Sequence, residues 1–269
     1  LDLQPALGGS VSALRQGGVD IFRPTLPGAD HPLLTAHFPM VPYANRIADG
    51  RFACDSEHYA LPRNVECQDH PLHGVGWLAP WTVEAAGDRD VTLGHRHDGD
   101  THWPWTYAAT QVFTLDDDGL RITLAVTNRD ARAMPVSLGF HPYFTKAAVS
   151  AVSFAADGLW LADAGLLPTE RVAADCLGDW SSGATPDPAT LIDNSYTGWS
   201  GEAILARPEG DLRLVGEGTP FLHVYMPPDR DFFCAEPVTA IPDALNRTAP
   251  MLLAPGETRT IGMSLTTAG

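Results

Sequence analysis

Cysteine is sparse in this chain: Cys54, Cys67, Cys176 and Cys234 lie far apart in 269 residues, with no C-x-x-C spacing. That argues against a structural zinc site and a dense disulfide framework, and leaves reduced core or surface thiols. Basic side chains are also few. Seventeen Lys and Arg face thirty-three Asp and Glu, a formal charge of -16. Such a surface repels phosphate backbones and anionic membranes, so neither nucleic acid nor membrane is expected as a partner, and a neutral or cationic small molecule is favoured. No apolar run reaches membrane-spanning length, and Leu1-Asp2-Leu3-Gln4-Pro5 does not read as a signal peptide, so a cytoplasmic protein is expected. Nowhere is there a long stretch at helical period with a cap at each end.

What is present is a hydrophobic content of 44%, enough for a full core, arranged as short alternating strands between Gly and Pro turns. Gly17-Gly18 supplies a tight hairpin turn ahead of Val19. Residues 111–128 read as a hairpin around Asp116-Asp117-Asp118-Gly119, with Ile122, Leu124 and Val126 on one face. Residues 133–144 read as another strand, with Met134, Val136, Leu138 and Phe140 opposite Ser137, Gly139 and His141. A hairpin turns at Glu209-Gly210, and Ile261, Met263 and Leu265 alternate in the closing strand. Trp103-Pro104-Trp105-Thr106-Tyr107 reads as core and strand edge. With no linker, repeat or helix alternation, the expectation is one all-β domain over 1–269, a sandwich of antiparallel sheets.

Two titratable residues stand out. Glu236 puts a carboxylate inside the apolar run Phe232-Phe233-Cys234-Ala235-Glu236, and Pro237 holds it extended. A partly desolvated carboxylate has its pKa raised toward working pH and suits a general base, although a structural ion pair is the ordinary fate of one buried Glu. His141 is fixed in the same way by Pro142, among small residues that leave room for a ligand. His73 precedes a glycine, and Trp77 and Trp81 offer flat apolar faces able to stack on a sugar ring. Arg46 is a forked donor in a loop-rich segment, and Asp193 fits an Asx turn or a cap as well as a site. His95, His97 and His102 show His-x-His spacing without an evident third ligand, so no metal is assigned.

Taken in order, Asn45-Arg46, Leu72-His73-Gly74, His141-Pro142-Tyr143-Phe144, Asp193 and Phe233-Cys234-Ala235-Glu236-Pro237 resemble the aldose 1-epimerase (galactose mutarotase) family. The resemblance runs from about Gly8 to the C-terminus. It implies the galactose mutarotase-like supersandwich, with Glu236 as general base, His141 as general acid, and His73, Arg46, Asp193 and Asn45 holding a sugar; Trp77 is a further candidate contact from its stacking face alone. It implies mutarotation of a free neutral monosaccharide, and acid–base chemistry of that kind needs no metal, nucleotide or redox cofactor; a monomer or homodimer is expected. Two other functions fit the same scaffold. A hexose-phosphate epimerase would draw on Arg46, Arg51 and Arg63 for the phosphate, and a non-catalytic sugar-binding module would dispense with the acid or the base. A glycoside hydrolase fits less well, since it usually needs two spaced carboxylates.

Overall fold

Alternating apolar residues pair into two large antiparallel sheets, which the computed structural model describes across residues 1–267. The larger sheet has nine strands in the order Asp2–Gln4, Ser10–Ala13, His37–Met40, Gly139–Thr145, Phe232–Val238, Phe221–Met226, Ile192–Thr197, Gly158–Ala162, Pro168–Val172. The second has eight: Ala151–Phe154, Glu202–Ala206, Leu212–Glu217, Thr258–Thr267, Gly119–Asn128, Thr106–Leu115, Asp90–Asp98, Thr82–Ala86. Among the described residues, α-helix is limited to the single turn Ala244–Arg247. Among the same residues no helix is long and apolar enough to cross a membrane.

The main core lies between the sheets. From the eight-stranded sheet Leu120, Ile122, Leu124 and Val126 point inward, and from the nine-stranded sheet Phe233, Ala235, Leu222 and Val224 join the same cluster. Each such large side chain contributes roughly 1.5–3 kcal/mol on burial. The period-2 rule then sends Cys234 and Val238 to the opposite face, where they pack with Phe38, Met40, Leu72, Trp77 and Tyr143 in a second cluster. That outer face of the nine-stranded sheet is roofed by the segments around residues 41–50 and 64–81, so its central strands are buried on both sides.

Two expectations need correction. Residues 133–144 are not one strand: Met134–Val136 pairs with Met251–Leu253, and only Gly139–Thr145 enters the large sheet. The break comes where the Ser137 hydroxyl accepts the Ala44 N–H at 3.0 Å and the Leu138 N–H donates to Thr239 Oγ1 at 2.8 Å, which draws both residues out of a continuous ladder. The Trp103 to Tyr107 run is core as expected, but Thr106–Leu115 is an interior strand, paired on both sides.

Candidate active site

Register brings the principal residues together. Gly139 pairs with Val238 and Tyr143 with Cys234, so His141 falls directly opposite Glu236 on neighbouring strands. His141 is also registered with Phe38, Glu236 with His223, and His223 with Ser195. A single row therefore crosses five strands: Phe38, His141, Glu236, His223, Ser195. The next row on the same face runs Tyr143, Cys234, Tyr225, Asp193. Cross-strand neighbours in one row have Cβ atoms about 5 Å apart, which is why side chains remote in sequence touch here.

His141 Nε2 lies 3.3 Å from Glu236 Oε1. Both residues are buried, 5% and 1% exposed, and His141 Nδ1 and Glu236 Oε2 have no hydrogen-bond partner. The His141 ring is stacked on Phe38 at 4.4 Å and lies 4.7 Å from the Tyr143 ring. Pro142 and Pro237 follow the pair directly and bring no N–H to the ladder.

The roof supplies the remaining groups. Arg46 and Leu72 form an antiparallel bridge, and Asn64 clamps the next turn by donating to Leu72 O at 2.7 Å and Gly74 O at 2.8 Å while accepting from Leu72 N. Gly74, at φ +75°, sits so close that a Cβ would lie 2.4 Å from the Val41 carbonyl oxygen, so only glycine fits. Asn45 and His73 both take positive φ, 61° and 57°, which is uncommon away from glycine. The strained pair hold one another: the His73 N–H donates to Asn45 O at 2.9 Å, and the Asn45 N–H donates to His73 Nδ1 at 3.1 Å. Since Nδ1 accepts a hydrogen bond from the Asn45 N–H, the His73 ring is the tautomer with Nε2–H as donor.

Behind these, Asp193 is gripped from two sides. Arg46 donates to Oδ2 at 3.2 Å and Oδ1 at 3.5 Å, and His223 Nε2 lies 2.8 Å from Oδ1. A carboxylate only accepts, so Nε2–H of His223 donates to it, and the other ring nitrogen, Nδ1, is hydrogen-bonded with the Ser195 hydroxyl at 2.8 Å. The Asn45 amide nitrogen, 3.2 Å from the same Nε2, then makes no hydrogen bond there, while its oxygen accepts from Arg46.

Burial and charge set the proton affinities. Burial acts to raise the Asp193 carboxyl, but Arg46 and His223 outweigh it and hold it below the usual range. Burial, reinforced by the Asp193 charge and only partly offset by Arg46, pushes Glu236 well above the carboxylate range. Burial, with His37 and His223 nearby, lowers His141 well below an ordinary histidine. His73 is lowered likewise, by burial first and then by His141 and Arg46. The two shifts at the His141–Glu236 contact agree: the pair favours its uncharged form, with a single proton for two coupled sites. Such a pair can exchange roles as acid and base without changing its total charge.

The structure gathers Glu236, His141, His73, Arg46, Asn45 and Asp193 at one locus. Asp193 lies in the strand Ile192–Thr197 instead of a turn or cap. Trp77 belongs beneath the site: it is 0% exposed, stacked on Phe38 at 4.9 Å, with its indole N–H donating to Leu72 O and Gly74 O, so it offers no free face to a sugar. Trp81 is buried with its N–H on Gly76 O. His95 and His97 flank Tyr107, and His97 Nε2 donates to Trp103 O at 2.7 Å. Sequence reasoning missed His223 and Asn64. His223 carried the same signal as Glu236, a polar residue on the Phe221, His223, Tyr225 face of an apolar strand, whereas Asn64 carried none.

The sequence pattern of the aldose 1-epimerase family matches residues 5–266. The chain is 34% identical over 244 residues to the uncharacterized Escherichia coli (strain K12) protein YphB, covering 85% of this chain and 82% of that one. A solved Escherichia coli K12 structure with a provisional aldose 1-epimerase assignment superposes with a TM-score of 0.90 at 31% identity, over 98% of this chain and 94% of that one. A galactose mutarotase-like protein from Clostridium acetobutylicum shares the fold, with a TM-score of 0.84 at 21% identity over 99% and 91% of the two chains. Sequence pattern and architecture agree, and the chain belongs to the aldose 1-epimerase family.

Proposed function

We propose that this protein interconverts the α and β anomers of a free neutral monosaccharide, with Glu236 as base and His141 as acid. The observation that carries this is the registered His141–Glu236 pair, 3.3 Å apart, buried, and with a ring nitrogen and a carboxyl oxygen left unbonded. Sugar hydroxyls donating to the carboxylate favour its ionised form, so substrate binding draws the shared proton to His141. Glu236 then takes the proton from the anomeric hydroxyl while imidazolium gives its proton to the ring oxygen. The C1–O5 bond breaks and the aldehyde forms. This transfer returns the pair to the uncharged state that burial favours, which assists ring opening. Rotation about C1–C2 and closure with the roles reversed give the other anomer. Nε2–H of His73 and the Asn45 amide serve as hydroxyl donors, and Asp193, fixed by Arg46 and His223, accepts from a hydroxyl.

Charge supports a neutral substrate. Arg46 is already committed to Asp193, and Arg51 and Arg63 are exposed side chains, so a phosphate finds little free cation at the site. The presence of both acid and base favours an enzyme over a binding module. The test is anomer exchange measured by NMR over a panel of hexoses and pentoses. Glu236→Gln and His141→Asn are expected to fold and to lose roughly 10²–10⁴-fold in rate; normal exchange in both variants would refute the assignment.

A further inference from the structure

Cys234 takes no part in the proposed proton transfers, yet it lies on the same face as Glu236, two residues earlier on the strand. Its sulfur, a His141 ring nitrogen and a Glu236 carboxylate oxygen all lie within 4.8 Å of one another. We propose that these three side chains form a reversible inhibitory site for a divalent zinc ion, which occupies the place of the shared proton and shuts off the acid–base pair.

The donor set suits this metal, since Zn²⁺ takes thiolate, imidazole and carboxylate together in tetrahedral sites and retains a fourth position for water. Two ligands each about 2.0–2.1 Å from a tetrahedral ion are about 3.3–3.4 Å from one another. The His141 Nε2 to Glu236 Oε1 separation is 3.3 Å. On their far sides, His141 Nδ1 and Glu236 Oε2 are unbonded, so no third group ties either side chain in place. On binding, the thiol S–H bond breaks and an S–Zn bond forms, with that proton and the pair's shared proton passing to solvent. The thiolate and carboxylate then balance the ion's two charges. Metal-bound histidines usually donate their second N–H to a carboxylate or carbonyl, and His141 Nδ1 has no such partner. The site is therefore one that exchanges its ion, not one that retains it.

The inhibitory part rests on His141 and Glu236 being the proton-transfer pair; the ion site does not, and the experiment separates them. Cys67 and Cys176 are exposed and would bind zinc on their own account, so the parent protein carries Cys67→Ser and Cys176→Ser. In that parent, Zn²⁺ is titrated by calorimetry, Co²⁺ by its absorption spectrum, and anomer exchange is followed with and without Zn²⁺. The expected results are one ion per chain, a thiolate-to-cobalt charge-transfer band, proton release, and inhibition relieved by excess sugar. Adding Cys234→Ala is expected to abolish the band and weaken zinc inhibition at least about tenfold while anomer exchange without zinc persists. Equal zinc binding with and without Cys234, or a cobalt spectrum lacking the thiolate band, overturns the site. Binding with the band but exchange untouched by zinc overturns the inhibitory role, and a protein that binds zinc but exchanges no sugar refutes the catalytic assignment alone.

Discussion

Asp193 and Glu236 are carboxyls buried on the same face of one sheet, and the charge of the first raises the proton affinity of the second. Asp193 keeps its charge because Arg46 and His223 hold it, whereas Glu236 meets only a histidine that burial also keeps neutral. Replacing Asp193 with Asn removes one negative charge and leaves Arg46 uncompensated. Both changes favour ionised Glu236. The pH profile of kcat/KM is therefore expected to shift to lower pH on both limbs, since the apparent values belong to the pair. Residual anomer exchange measured across pH checks this; an unmoved profile would separate the two carboxyls electrostatically.

Glu236 costs stability once it ionises. Its folded value is raised, so the two states protonate alike in acid, and as pH rises past the ordinary carboxylate range the unfolded chain ionises first. Stability from this group is complete below that range and lost as pH climbs through the raised value. Glu236→Gln is expected to match the parent in acid and to melt higher at neutral and alkaline pH, by calorimetry. A uniformly lower Tm would contradict this account.

His37 acts in the opposite pH direction. It is 0% exposed between the rings of Phe22 and Phe140, neither nitrogen has a partner, and burial pushes its pKa from 6.5 down to about 3. Its neutral form contributes fully above pH 6.5, and the contribution falls away toward about 3 as the unfolded chain takes up the proton. Over that window the loss amounts to roughly 5 kcal/mol as an upper bound. His37→Phe is expected to flatten the acid side of the stability curve, measured by denaturant midpoints across pH; a curve of unchanged slope would place the acid sensitivity elsewhere.

In the proposed mechanism His223 is a positioning residue. Its hydrogen bond to Asp193 is short and charge-assisted, and losing such a bond costs about 1.5–3 kcal/mol. His223→Ala should therefore raise KM about 10- to 100-fold, with a smaller fall in kcat, because the substrate's hydroxyl acceptor is freed to move. Steady-state kinetics reads the split, and a fall confined to kcat would point instead to a direct part in proton transfer.

The His141–Glu236 contact was legible in the sequence because each member departs from a local rule: a titratable group in an apolar strand, fixed by a following proline. The strands themselves were legible wherever alternation was strong, as from Gly119 to Asn128. Strand order was not, since nothing local tells Phe221–Met226 that it will lie between Phe232–Val238 and Ile192–Thr197. His223 went unnoticed for that reason, its importance arising only once Glu236 and Ser195 stand on either side of it. Trp77 misled because an aromatic ring beside glycines suits a sugar platform and a buried support equally well. Residues 133–144 kept their alternation through a point where the chain changes sheets, and periodicity is blind to such a change.

Pro142 and Pro237 leave a seam in the middle of the large sheet, because neither can donate a ladder hydrogen bond. The interruption coincides with His141 and Glu236, while Gly139–Val238 and Tyr143–Cys234 remain registered above and below it. Like an eyelet in woven cloth, the gap is small and bounded. At that one level the backbone is free of the ladder bonds that pin it on either side, so His141 and Glu236 stand on the least tethered stretch of an otherwise continuous sheet.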